Sequence, residues 1–259
     1  MSTTIDLIAD VGEGFGSWTM GHDEEILPSL TSANVACGFH AGDPLIMERT
    51  VRRCLELGVR IGAHPGFRDL AGFGRRAMET SADEIRTDVL YQIGALAGFA
   101  RAVGTTLSHV TPHGRLGNLV VTDESYAVPV LDAVAAFDPA LPVVAQEGVI
   151  TRLAAERGLP YVRLGLPDRN VTDDGTLVSR RREDAVLHDP QLIAARAVQM
   201  VVHGTVTSVG GVEVPVACDT VLLHGDNAAS VEAARLVRRA LEDAGVTVAP
   251  FGAAPVPAG

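Results

Sequence analysis

The sequence predicts an α/β fold, an irregular TIM-like β/α barrel with a small hairpin insertion, and three observations predict it. The 259 residues suit one large α/β domain. Short apolar segments recur with helical patterns between most of them, and seven or eight such units at this length favour parallel strands closed into a barrel. An open doubly wound sheet is the other arrangement the alternation allows.

The expected strands are Ile5–Ala9, Ser32–Ala36, Val59–Gly62, Leu107–Val110, Pro142–Ala145, Tyr161–Leu164 and Thr220–Leu223, with a weaker segment at Val246–Ala249. Asp43 followed by Pro44 starts one helix, which buries Met47, Val51, Cys54 and Leu55 and stops at Gly58. Ser81 and Glu84 make a capping box for a second, with apolar residues from Ile85 to Val103 before Gly104. A third runs from near Asn227 to Gly245, and a fourth follows Pro190. Two period-two runs flank Gly210 and Gly211 within 204–216, which signals a hairpin inserted into the alternation. The reading is a single domain over 1–250 with a loose tail at 251–259.

Composition narrows the function classes. Hydrophobic residues are 47% and charged ones 20% of the chain, a balance that excludes wholesale disorder. A net charge of −11 with no basic stripe argues against nucleic acid. MSTTIDLIAD lacks the basic and apolar runs of a leader, and no apolar stretch approaches the roughly 18 residues of a membrane span. A cytoplasmic protein with no membrane partner is the expectation. Cys37, Cys54 and Cys218 fit neither a disulfide framework nor a thiolate metal cluster and read as buried thiols. All 21 basic residues are arginine, which excludes a Schiff-base or phosphate-loop lysine.

In parallel α/β proteins functional side chains gather at the carboxyl ends of the strands. Asp10 stands there after the first strand, His40 after the second, His64 after the third, His113 after the fourth, and His224 after the strand ending in LLHGDN. Each histidine adjoins residues suited to a sharp turn. Histidines with a carboxylate either bind a divalent metal that activates water or exchange protons themselves near neutral pH, and the sequence leaves both open. Asp10, Glu13, His64 and His113 are the candidate catalytic residues, and Asp10, His40 and His64 the candidate metal ligands. His40, Asp43, Arg115, Asn118, Arg169, His224, Asp226 and Asn227 are candidates for binding substrate or nucleotide, although an N-cap role explains Asp43 and Asp226 equally well. Arg169, in the polar loop that also holds Asp174–Leu177, is the arginine placed to grip a carboxylate or phosphate. The run at Gly12–Gly16 is no dinucleotide fingerprint, because Ser17 occupies the third glycine position.

The segments ADVGEGFG, TSANVACGFHAGDP, GAHPGFRDLAGFGRR, LYQIGALAGFA, LSHVTPHG, DGTLVSR and VLLHGDN resemble the LamB/YcsF family over nearly the whole chain. The resemblance implies a barrel related to the polysaccharide deacetylases. It also implies the A subunit of an ATP-dependent 5-oxoprolinase, opening 5-oxo-L-proline to L-glutamate with B and C subunits; it leaves a homo-oligomer open. Four positions depart from the family's pattern. Ile8 replaces an asparagine, Thr111 a lysine, Arg115 an alanine and Gly117 a tyrosine. Threonine cannot carry the charge a lysine would offer a phosphate. Those departures keep two alternatives in view: a stand-alone metal-dependent hydrolase of an amide, lactam or acetylated sugar, and a non-catalytic paralogue.

Overall fold

A computed structural model describes residues 3–224 and 228–252. Seven parallel strands close on themselves: β1 (Thr4–Val11), β2 (Ser32–Ala36), β3 (Arg60–His64), β4 (His109–Val110), β5 (Val143–Ala145), β6 (Tyr161–Gly165) and, after the hairpin strands β7 (Thr205–Thr207) and β8 (Glu213–Pro215), β9 (Thr220–Leu223). β9 pairs with both β6 and β1, which shuts the barrel, and β10 (Thr247–Val248) adds to the start of β1. The expected barrel is therefore present, and the sheet is closed rather than doubly wound. Around it run α1 (Asp23–Ile26), α2 (Pro44–Leu57), α3 (Ala82–Ala102), α4 (Gly114–Thr122), α5 (Glu124–Phe137), α6 (Val149–Glu156), α7 (Pro190–Val198) and α8 (Ala228–Asp243). None of the described helices is long and apolar enough to cross a membrane.

Strand alternation sorts the side chains of β1 into two environments. Ile5, Leu7, Ala9 and Val11 join the large apolar core shared with the helices. Asp6, Ile8 and Asp10 lie on the other face, inside the barrel, where Ile8 packs with Leu166 and Leu222. Asp6 is fully buried and accepts hydrogen bonds from the hydroxyls of Thr31, Ser32 and Thr220. The lower barrel is thus polar and satisfied, as burial of such a group requires.

The anticipated helix starts are observed. The Asp43 carboxylate accepts from the amides of Leu45 and Ile46, and Pro44 occupies the first turn of α2. Ser81 and Glu84 form the reciprocal capping box of α3. β7 and β8 pair antiparallel, so the inserted hairpin is real. Cys37 and Cys54 are buried thiols, and burial pushes each up to about 12, whereas Cys218, also expected to be buried, is half-buried. Phe251, placed at the head of a loose tail from sequence, is anchored instead. Its ring meets that of His109 at 5.5 Å, and its carbonyl accepts from Arg60; residues 253–259 lie outside the described residues. Replacing Ser81 with alanine removes one side of the capping box, and urea unfolding of Ser81→Ala should show a loss of about 1 kcal/mol. An unchanged midpoint would mean that the cap does not limit stability.

Candidate active site

The loop after β1 delivers Glu13 because carboxylates hold it from two sides. Asp23 accepts from the Gly12 amide at 2.9 Å, and Asp43, while capping α2, accepts from the Gly16 amide at 2.7 Å. Asp43 therefore positions the site without entering it. His40 follows β2, His64 ends β3, and His113 is the residue on which α4 begins. Asp10 lies inside β1, one residue before its end, rather than past it as the sequence reading had it.

Glu13, His40, His64 and His113 converge, all buried, with one ligating atom from each within 4.8 Å of the others. Glu13 Oε1 is 3.2 Å from His40 Nε2 and 3.4 Å from His113 Nδ1. The His40 and His113 rings stack with centroids 3.7 Å apart, and His64 meets both edge-on.

Two backbone carbonyls fix the tautomers. His64 Nδ1 lies 2.6 Å from the Thr111 carbonyl and His113 Nε2 2.8 Å from the Phe73 carbonyl. A carbonyl only accepts, so both outer nitrogens carry protons. The inner nitrogens, His64 Nε2 and His113 Nδ1, then turn lone pairs towards each other across 2.9 Å. That contact is repulsive unless a positive charge lies between them. Asp10 Oδ1, 3.3 Å from His64 Nε2, and Glu13 supply the matching negative charge. His40 Nδ1 is buried with no partner. Three imidazoles, one carboxylate and an unspent ring nitrogen fit a divalent transition metal, whose ligands at about 2.0–2.1 Å come within about 3 Å of one another. The set differs from the expected Asp10, His40 and His64: Glu13 and His113 join it, and Asp10 stands beside it.

Asp10 anchors a further chain of buried groups. Its Oδ1 accepts from Asn34 Nδ2 at 2.8 Å, Asn34 Oδ1 lies 2.8 Å from His109 Nε2, and His109 Nδ1 lies 2.8 Å from Ser108 Oγ. Burial raises the Asp10 carboxyl, but its neighbours, His64 foremost and then His224 and His113, outweigh it and hold the group well below the usual carboxylate range. Burial pushes His109 down to about 3, helped by the charges of His64 and Arg60. Burial likewise holds His40 and His113 well below an ordinary histidine. The sequence reading missed Asn34 and His109. The available signal was register, since Asn34 lies opposite Asp10 and His109 opposite Gly62.

The remaining candidates separate from the cluster. His224 follows β9 and pairs with Asp168, a residue the sequence reading did not single out. Arg169 is 4% exposed and directs Nε and Nη2 to the carbonyls of Ala185 and Val178. It therefore braces the loop after β6 rather than gripping a ligand with those donors. Arg115 and Asn118 are exposed on α4. Asp226 and Asn227 lie outside the described residues.

Residues 5–255 match the LamB/YcsF family. The chain belongs to that family. The A subunit of 5-oxoprolinase from Symbiobacterium thermophilum is 50% identical over 250 residues, which are 96% of each chain. That of Acinetobacter baumannii (strain ACICU) is 47% identical over 248 residues, 95% of this chain and 98% of its own. The crystal structure of the lactam utilization protein from Thermus thermophilus aligns with a TM-score of 0.91 and 45% identity, covering 96% of this chain and all of that one. The positions set apart within the family pattern now have surroundings. Ile8 fills the barrel interior, Thr111 Oγ1 is buried with no hydrogen-bond partner, and a Cβ on Gly117 would stand 2.4 Å from the Pro112 carbonyl.

The three depressed histidines give a pH dependence whose sign is fixed. Below the ordinary histidine value of 6.5 the unfolded chain binds protons that folded His40, His109 and His113 refuse. Stability is then full above about pH 6.5 and falls on acidification, by roughly 1–2 kcal/mol per pH unit for each proton. Asp10 adds to the loss only below its ordinary value of 3.8. Urea midpoints should drop between pH 7.5 and 5.5, and less steeply in His109→Gln. Equal midpoints at the two pH values would contradict the assignment.

Proposed function

We propose that this chain is the A subunit of an ATP-dependent 5-oxoprolinase that opens the lactam of 5-oxo-L-proline to L-glutamate together with B and C subunits. The observation that carries the reading is the buried cluster of Glu13, His40, His64 and His113 at the carboxyl end of the barrel. It occurs in a chain 47–50% identical to relatives bearing that name, across nearly all of their length.

Opening a lactam adds water across a C–N bond, and negative charge develops on the carbonyl oxygen as the bond to water forms. The facing nitrogens of His64 and His113 require a positive charge between them, so the site presents a cation to that oxygen in a water-poor environment, where such stabilisation is strongest. A divalent metal bound by Glu13, His40, His64 and His113 would supply Lewis-acid polarisation there. Asp10, beside His64, adds negative charge that matches the cation, and Asn34 holds Asp10 while His109 holds Asn34. In this reading ATP is the co-substrate that drives ring opening, and a cytoplasmic setting supplies it. A phosphate cannot rely on lysine in this chain, because Thr111 takes the family's lysine position and no lysine occurs elsewhere. Its charge then falls to arginine or to the partner subunits. The density of ionisable groups in the barrel weighs against a non-catalytic paralogue.

The assay is glutamate release from 5-oxoproline and ATP by this chain combined with B and C subunits. Wild type should turn over, and His64→Gln should lower kcat by about 100-fold or more while remaining folded. No turnover by wild type, in conditions where the corresponding chain of a relative works, rejects the reading. Metal binding is tested apart from activity. After chelator stripping, dialysis against Zn²⁺ or Mn²⁺ should load about one ion per chain, and His64→Gln with His113→Gln should load none. Failure of wild type to take up metal would leave a trapped proton as the cation.

A further inference from the structure

A second group of ionisable side chains gathers where β6 and β9 leave the barrel, outside the four-residue cluster. Asp168 comes three residues after Gly165, and His224 directly after Leu223. Asp168 is 5% exposed; its Oδ2 lies 2.5 Å from His224 Nδ1, and its Oδ1 is buried with no partner. From the loop between β6 and α7 the exposed Arg180 reaches back and sets Nη2 2.8 Å from His224 Nε2. A guanidinium only donates, so Nε2 accepts and the ring proton sits on Nδ1, directed at Asp168. The arrangement is a neutral imidazole backed by a carboxylate, with its basic nitrogen covered by a cation.

These three residues border a cavity of about 260 Å³, together with His188, Leu187 and Ile193. The lining thus carries one arginine and two imidazoles beside the Asp168 carboxylate, in a chain of net charge −11. Register brings this cavity near the cluster. Ala9 lies opposite Leu223 between β1 and β9, so the next residues, Asp10 and His224, are neighbours across the strands.

We propose that Arg180 recognises the carboxylate of the substrate, and that engaging it releases His224 Nε2 to carry the proton that lactam opening moves from the attacking water to the ring nitrogen. The proposal rests on the lactam-opening reading. A guanidinium bonds a carboxylate in two charge-assisted hydrogen bonds and a neutral imidazole in one weaker one, so an anionic substrate displaces His224 Nε2 from Arg180. As the bond from water oxygen to the carbonyl carbon forms, a water proton passes to Nε2, and Asp168 stabilises the imidazolium. As the C–N bond breaks, the same proton passes to the ring nitrogen and His224 returns to its starting state. Water has then added across the amide, with no proton left over. His224 is the catalytic residue of this step, and Asp168 is a positioning residue.

The test uses the complex with B and C subunits, and as substrates 5-oxoproline and its uncharged carboxamide. Arg180→Gln should raise KM for 5-oxoproline about tenfold or more and narrow the complex's preference for 5-oxoproline over the carboxamide by a similar factor. Asp168→Asn, which keeps the side chain's shape, should lower kcat about 100-fold with little change in KM. Nitrogen NMR of this chain by itself gives a readout independent of turnover. The His224 Nε2 resonance, assigned by its loss in His224→Gln, should move when 5-oxoproline is added to wild type and stay still in Arg180→Gln. In an active complex, an unchanged KM in Arg180→Gln or an unchanged kcat in Asp168→Asn overturns the proposal. If the wild-type complex makes no glutamate, the lactam reading fails instead, and a resonance indifferent to 5-oxoproline then overturns the Arg180 exchange as well.

Discussion

Burying the Asp10 carboxylate inside a closed barrel is the constraint around which this structure is built. An ion taken out of water costs several kcal/mol unless neighbours replace its hydration, and the two strands that flank β1, together with β3 beyond β2, provide those neighbours. β2 offers the Asn34 amide, β3 offers His64, and β9 sets His224 close by. Each partner is then held in turn, Asn34 against His109 and His64 against the Thr111 carbonyl. The polar interior is a connected network rather than isolated concessions. Its members lose little on ordering, because the strands that carry them are already fixed by the outer apolar core.

Backbone close approach makes this network geometrically available. A Cβ on Gly62 would fall 2.0 Å from His109 Nε2, so glycine in β3 is what leaves room for the His109 ring to reach Asn34. Below it, the Phe251 ring covers His109. A residue that reads as tail from sequence thus packs against the lower end of a network whose upper end is the histidine cluster. Dry surroundings below and a charged mouth above are one arrangement, because excluding water from His109 strengthens the hydrogen bond passed to Asp10.

The strand ladder was legible in the sequence because each buried strand is a compact apolar run, and Ser81 and Asp43 were legible because capping chemistry is local. α4, α5 and α6 were not picked out. α5 carries Pro129 in its interior, which masks a helical pattern, and α4 begins directly on the TPHG turn that the eye assigns to chemistry. Among the functional residues, position along the chain identified those at strand ends but could not divide them. His64 and His113 meet while His224 goes to Asp168, because β3 and β4 are adjacent and β9 lies on the far side of β1. Arg169 and Arg180 show the same limit. Either arginine suits an anion by type, and only the fold shows that the first is spent on carbonyls while the second reaches His224.

The replacements within the family pattern acquire a common sense from this geometry. Ile8 lies between the Asp6 and Asp10 levels of the barrel, packed with Leu166 and Leu222, so an apolar plug separates the two polar layers. Thr111 keeps the backbone carbonyl that fixes His64 and gives up only the lysine charge. That carbonyl bond sets the direction of the His64 lone pair, so the approach of His64 to His113 depends on the path of the chain at 111 and not on the side chain there. The changed positions therefore spare the facing imidazoles of His64 and His113. They alter what surrounds that pair of rings without dismantling it.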